Sequence, residues 1–239
     1  LQGYCGADFV SLDWFGNGSN QQGLQFAPTL TKQMTHQWVD VEKIEHNAKW
    51  WINHEESKVE IPTEDFAIFS GSWNPLHDGH RKIKETAESF LGKKVVYDLS
   101  LANADKPPLD HIAIFERLLP FEVEKVLVTN APTFLEKARI FPKKTFVVGY
   151  DTMLRIVNPK YYGSSEWNLN AMLDELQHHQ ANFLVFGRAD ENGSFRNIFA
   201  ETLSRRAYDF IKTNATLVPE SDFRVDVSSS QIRKERGAM

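Results

Sequence analysis

The chain lacks what would tie it to a membrane, a disulfide scaffold or a nucleic-acid backbone. Cys5 is its only cysteine, so neither an intrachain disulfide nor a cysteine-rich zinc site can form, and a soluble, reducing, cytoplasmic setting is the expectation. No apolar run approaches the roughly eighteen residues that a membrane-spanning helix requires, and no charged-then-apolar secretory pattern opens the chain. The first residue is Leu1, which leaves a cleaved or truncated start open. Basic residues do not dominate. Against 27 Lys and Arg stand 32 Asp and Glu, a net charge of −5, and no basic run interleaved with aromatics occurs, which argues against a broad nucleic-acid surface. An anionic ligand must be met by local donors instead. Core-forming residues are plentiful: 41% of 239 residues are hydrophobic and 17 are Phe, enough for one sizeable domain with an appendage.

From about residue 65 onward, strand-like and helix-like patterns alternate. Residues 94–101, 125–128, 145–148, 182–186 and 216–218 read as strands, and 109–119, 169–179 and 199–212 as helices. This alternation predicts a Rossmann-like α/β fold, a parallel sheet flanked by helices, with ligands at the carboxyl ends of the strands. Residues 1–60 differ. The stretch 16–25 is rich in Gly, Asn and Gln and reads as loop, whereas Val41, Ile44, Ala48 and Trp51 fall at helical spacing within 39–53. The expectation is a helical N-terminal appendage over 1–60, packing on the domain formed by 61–239 or on a second subunit of a homo-oligomer. Trp38, Trp50 and Trp51 are then packing residues.

The most informative dozen residues are Phe-Ser-Gly-Ser-Trp-Asn-Pro-Leu-His-Asp-Gly-His at 69–80. An apolar run from Phe66 ends in Ser70, Gly71 and Ser72, where glycine permits close approach of the backbone to a ligand and free N–H groups point outward. Asn74-Pro75 turns the chain. From Gly79 onward Ile83, Ala87, Phe90 and Leu91 recur at three- and four-residue steps, the stripe of a helix lying on a sheet. His80 thus sits at a helix N-terminus, with His77 in the loop beside it, where N–H groups and the helix dipole favour an anion. Two histidines three apart would alone be weak, since such a pair on a surface helix is usually solvated. Here strand end, turn and helix start are in register, and they describe a phosphate site.

A second string, Val-Asp-Val-Ser-Ser-Ser-Gln-Ile-Arg at 225–233, offers Ser228 as an N-cap and places Ser229, Ser230 and Arg233 together at a helix start. Hydroxyls and a guanidinium there suit triphosphate oxygens, though an ordinary capped helix has the same look. A third, Thr-Phe-Val-Val-Gly-Tyr-Asp at 145–151, is an apolar strand ending in Gly149 and Asp151. Arg188 follows another strand at 182–186. His178 and His179 lie at a helix C-terminus and are assigned no chemistry, and His111 reads as structural.

The first string resembles the G-S-x-N-P-x-H-x-G-H signature of the nucleotidylyltransferase superfamily, with Trp73 where Phe is usual. The second is similar to that superfamily's I-S-S-T-x-I-R motif, and the third to the G-x-D of nicotinamide and nicotinate mononucleotide adenylyltransferases. The likeness covers about residues 65–239. It implies transfer of AMP from ATP to a phosphorylated acceptor, most closely a pyridine mononucleotide, with release of pyrophosphate. By the same resemblance His77, His80 and Arg233 are the catalytic candidates. Ser70, Gly71, Ser72, Gly79, Gly149, Asp151, Arg188, Ser229 and Ser230 would bind nucleotide or phosphate, and Trp73, Lys106, Arg117 and Trp167 would line the acceptor side. Mg²⁺ would arrive with ATP, carried by phosphates rather than by protein ligands. Cytidylyltransferases end in a different string, flavin adenylyltransferases show Asp-Gly-Val-His in place of Asn-Pro-Leu-His, and tRNA synthetases carry a Lys-Met-Ser-Lys-Ser loop. Phosphopantetheine adenylyltransferase is the alternative enzyme, and a nucleotide-binding regulatory protein without turnover is the alternative of another class.

Overall fold

The computed structural model describes residues 48–52, 55–57, 65–101, 109–121, 124–189, 193–196, 198–224 and Gly237. Trp38, Lys106, Ser229, Ser230 and Arg233 lie outside them. In chain order the elements are β1 (Ala48–Ile52), β2 (Glu55–Ser57), β3 (Phe66–Gly71), α1 (Asp78–Leu91), β4 (Lys94–Ser100), α2 (His111–Leu118), β5 (Val126–Thr129) and α3 (Phe134–Ile140). There follow β6 (Thr145–Gly149), α4 (Tyr150–Ile156), α5 (Glu166–His178), β7 (Asn182–Phe186), β8 (Arg188–Ala189), β9 (Phe195–Arg196), α6 (Arg205–Asn214) and β10 (Ala215–Val218).

The strand order is β10-β7-β6-β3-β4-β5-β1-β2. The first six run parallel, and β1 and β2 add to the β5 edge antiparallel. This is the Rossmann-like α/β architecture, because strand-helix-strand crossovers force neighbouring strands to run the same way. Side-chain alternation along the strands divides the core into two layers. Phe66, Ile68, Phe146, Val148, Phe183 and Val185 face α3, α4, α5 and α6. Ala67, Phe69, Val95, Tyr97, Leu99 and Val147 face α1 and α2. All four residues of β5 are buried, as a strand covered on both faces must be. Among the described residues no helix is long and apolar enough to cross a membrane.

Two expectations are corrected. The helical spacing read over 39–53 does not produce a helix in its described part: residues 48–52 form a strand that pairs Ala48 with Thr129 and Trp51 with Val126. Ala-Lys-Trp-Trp-Ile is as compatible with a pleated strand as with a helix, and the open edge of β5 supplies main-chain partners that decide the outcome. Phe90, placed on the buried stripe of α1, is 43% exposed, whereas Ala87 is fully buried. Leu91, in the same turn, does pack against the core, so Phe90 lies at the exposed margin of the stripe.

Removing residues 1–60 would strip β1 and β2 from β5 and bare its row of unpaired N–H and C=O groups. The shortened chain is expected to self-associate, seen as a rise in mass by light scattering on a size-exclusion column. A monodisperse fragment of the same oligomeric state as the full chain would contradict this.

Candidate functional site

The strand order reverses between β3 and β6: the chain moves outward from β3 to β4 and β5, then returns to β6 and proceeds through β7 to β10. Loops leaving two such strands diverge to opposite faces and open a crevice at their carboxyl ends. A cavity of 620 Å³ lies there, walled by Ser70, Gly71 and Ser72, by His80 of α1, Lys137 of α3 and Gly149 at the end of β6.

The loop after β3 is built around an indole. Trp73 lies in the left-handed region at φ 46°, and the Asn74–Pro75 bond is cis. The side chain is only 3% exposed, and its Nε1 donates to the Asp98 carbonyl at 3.1 Å. Its ring meets those of Phe69, His80 and Tyr97 edge-on at 4.9, 5.1 and 5.0 Å. Gly71 admits it, since a Cβ there would stand 2.7 Å from the indole. The glycine expected to let a ligand approach is therefore required first by the protein's own packing. Arg117 of α2 donates from Nη1 to the Ser72 carbonyl at 3.0 Å, so this guanidinium braces the loop.

His77 is the N-cap of α1, Gly79 is buried in the first turn, and the two imidazoles stack with centroids 3.7 Å apart. The His77 backbone N–H donates to Nδ1 of His80 at 3.3 Å. Burial, and then the neighbouring His77, push the His80 pKa from its ordinary 6.5 down to about 3. Burial also lowers that of His77. A neutral His80 whose Nδ1 accepts must carry its proton on Nε2, so it is a hydrogen-bond donor without being a cation. Nδ1 of His77 is buried with no hydrogen-bond partner among the described residues.

Beneath the loop lies a charged network that sequence reasoning missed. Asp98 is fully buried in β4 and Lys137 is 2% exposed. Lys137 Nζ lies 2.6 Å from Asp98 Oδ2 and donates to Thr129 Oγ1 at 2.7 Å. Thr129 Oγ1 donates to Asp98 Oδ1, and Ser70 Oγ to Asp98 Oδ2, each at 2.7 Å. The register sets part of this, since Ser70 pairs with Asp98 across β3 and β4. The available signal was an acid in the middle of Val-Val-Tyr-Asp-Leu, where a charge has no place unless it is paired.

Other candidates fall less centrally. Asp151 and Arg188 stand at the carboxyl ends of β6 and β7 and pair with each other at 2.5 Å, both about half exposed; neither walls the cavity, whereas Gly149 does. Trp167 is 80% exposed and lies outside the cavity wall. The aromatics that do line it include Phe134, Tyr161 and Tyr162, of which Tyr161 is 39% exposed. Burial raises the Tyr162 pKa to about 12, and its hydroxyl donates to the Ile156 carbonyl. No group of three or more His, Cys, Asp or Glu among the described residues gathers to hold a metal ion, and Asp98 is already bonded by three donors.

Comparison with known proteins agrees with the motifs. Over 120 residues the chain is 29% identical to a Schizosaccharomyces pombe protein provisionally named a nicotinamide mononucleotide adenylyltransferase, covering 44% of this chain and 47% of that one. The chain resembles the mononucleotide adenylyltransferases. It spans about half the length of the curated relative it matches. A solved structure of Plasmodium falciparum nicotinic acid mononucleotide adenylyltransferase complexed with NaAD aligns at a TM-score of 0.43 and 14% identity, over 72% of this chain and 83% of that one. No family model matches.

The depressed His80 pKa carries a stability consequence. The folded state keeps the imidazole neutral, so this group's contribution is complete above pH 6.5 and is lost as pH falls from 6.5 toward 3. The slope for one proton is at most about 1.4 kcal/mol per pH unit. Urea unfolding of the ligand-free protein at pH 7, 6 and 5 is expected to show falling stability, with a shallower fall in His80→Gln. Equal slopes in both proteins would mean that His80 is not held neutral by folding.

Proposed function

We propose that the chain is an ATP-dependent adenylyltransferase that joins AMP to the 5′-phosphate of nicotinamide or nicotinate mononucleotide and releases pyrophosphate. The observation that carries this reading is His80: a desolvated imidazole, its proton assigned to Nε2, on the wall of the switch-point cavity directly after the strand that ends in Ser70 and Gly71. The similarity to a mononucleotide adenylyltransferase supports the substrate class.

The acceptor phosphate is already an anion at neutral pH, so it can attack the α-phosphorus of ATP without a protein base. One P–O bond forms as the bond to pyrophosphate breaks, and no proton must be taken from the acceptor. The protein's work is then positioning and stabilising charge. Main-chain N–H groups at residues 70–72 and at the start of α1, which includes Gly79, would receive phosphate, while His77 and His80 donate to the oxygens where charge grows. A neutral donor suits that task, because an imidazolium would grip the ground state as well. Gly149, Asp151 and Arg188 are proposed on the nucleotide side, and Ser229, Ser230 and Arg233 on the β- and γ-phosphates. Lys106 would face the acceptor, with Arg117 and Trp73 shaping its loop. Mg²⁺ would enter on the triphosphate.

The decisive experiment incubates the protein with ATP, Mg²⁺ and nicotinamide mononucleotide, nicotinate mononucleotide or phosphopantetheine, and follows pyrophosphate. Release with a pyridine mononucleotide is expected; release with phosphopantetheine alone would overturn the acceptor, and release with none would overturn the enzyme. Within that assay His80→Ala is expected to lower kcat by about 10²–10³ with the Michaelis constant for ATP changed only a few-fold, the usual loss for one transition-state donor. An unchanged kcat would remove His80 from the chemistry.

The stacking partner for the pyridine ring is proposed as Tyr161, the part-exposed aromatic on the cavity wall, in place of Trp167. A cationic ring over a phenol face is favoured by roughly 0.5–2 kcal/mol. Tyr161→Ala should therefore raise the Michaelis constant for nicotinamide mononucleotide by about 2- to 30-fold, and Trp167→Ala should leave it unmoved. The reverse pattern would restore Trp167 to the site.

A further inference from the structure

Lys137 is a charged side chain on the wall of the switch-point cavity, yet its exposure is only 2%. Two of its three N–H donors are engaged, by Asp98 Oδ2 at 2.6 Å and Thr129 Oγ1 at 2.7 Å; the third has no acceptor among the described residues. Stability alone does not explain the arrangement. A buried ion pair repays its desolvation poorly, and apolar residues of similar volume often do as well or better. The pair also reaches the cavity by a second route, because Ser70 Oγ donates to the same Asp98 oxygen. Its hydrogen thus committed, the Ser70 hydroxyl offers only lone pairs and cannot donate to a phosphate oxygen. A donor is still required at that point if the loop at 70–72 receives an anion, and the spare N–H of Lys137 is the charged donor held beside it.

We propose that Lys137 is a phosphate-binding residue of the cavity, held in place by Asp98 and Thr129 so that its third N–H meets an oxygen of a phosphorylated ligand beside Ser70. Asp98 offsets the charge while the cavity is empty, and Thr129 fixes the direction of the ammonium. An incoming phosphate then gains a charge-assisted bond with no side chain to reorganise. This rests on the reading of the cavity as a phosphate site, and it adds a residue that none of the recognised motifs contains.

The test titrates inorganic phosphate calorimetrically into the full chain as wild type, Asp98→Asn and the double variant Asp98→Asn/Lys137→Met, with thermal unfolding followed in parallel. The double variant removes both charges together, so no lone buried carboxylate is left to unfold the protein. Wild type is expected to bind, and Asp98→Asn to bind at least as tightly, since the ammonium loses a competing anion. The double variant should bind about 10- to 100-fold more weakly, the range for losing a hydrogen bond to a charged group. Equal binding by the double variant overturns the proposal. So does an Asp98→Asn variant that loses as much as the double variant, because the network would then be a scaffold for the loop. Should either variant fail to fold, NMR of lysine-labelled wild type decides: the buried Lys137 Cε resonance must shift on adding phosphate, and a stationary one counts against the assignment. Lys137-dependent phosphate binding by a protein that yields no pyrophosphate from ATP would sustain this inference while sinking the proposed reaction. Pyrophosphate release by a protein whose phosphate binding ignores Lys137 would do the opposite.

Discussion

A carboxylate with no access to water organises the centre of this domain. Asp98 is fully buried and takes side-chain bonds from Ser70, Thr129 and Lys137, while its main-chain carbonyl takes one from the Trp73 indole. Leaving such a charge unpaired costs several kcal/mol, so each partner is held to its place. Those partners come from β3, β5, α3 and the turn after β3, and Asp98 itself from β4. One acid thereby ties three neighbouring strands, a helix and the ligand-facing loop into a single arrangement. The cavity wall is built on that constraint.

The histidine pair depends on the same construction. His80 packs edge-on against Trp73 and Phe69, and that apolar cover, before the neighbouring His77, disfavours its charged form. The indole can occupy that space only because residue 71 has no side chain. Packing at Gly71 and Trp73 therefore biases His80, nine positions after the glycine, toward its neutral form. With both imidazoles biased toward neutrality, positive charge for an anionic ligand must come from cations at the cavity rim or wall. That division separates orienting donors from charge.

The fold was legible where physical signals were redundant. Residues 182–186 carry β-prone residues, burial on both faces and clear boundaries, and the strand read there matches β7. The two seven-residue helices α3 and α4 went unread, because two turns are too short for a stripe to repeat. The start of α3 did carry a local mark in Thr133 and Glu136, whose reciprocal capping bonds close its first turn. At 48–52 helical spacing and strand composition were both present, and the edge of β5, invisible in the local sequence, chose between them. The site shows the same division. The histidines at 77 and 80 were legible because strand end, turn and helix start agree in order, whereas the Asp98–Lys137 pair joins residues 39 apart and only the odd acid in an apolar strand hinted at it.

Trp73 marks where this chain departs from the pattern it resembles, and the departure is internally consistent. A phenylalanine ring at that position would lack the N–H that reaches the Asp98 carbonyl and would fill less of the space bounded by Phe69, Tyr97 and Phe121. The larger indole instead presses on residue 71, where glycine is then obligatory on steric grounds alone. The tryptophan therefore acts on a ligand through the wall it supports more than through its own surface, since 97% of it is hidden. What distinguishes this cavity is set beneath the loop, by an indole and a carboxylate that share one residue of β4 as their anchor.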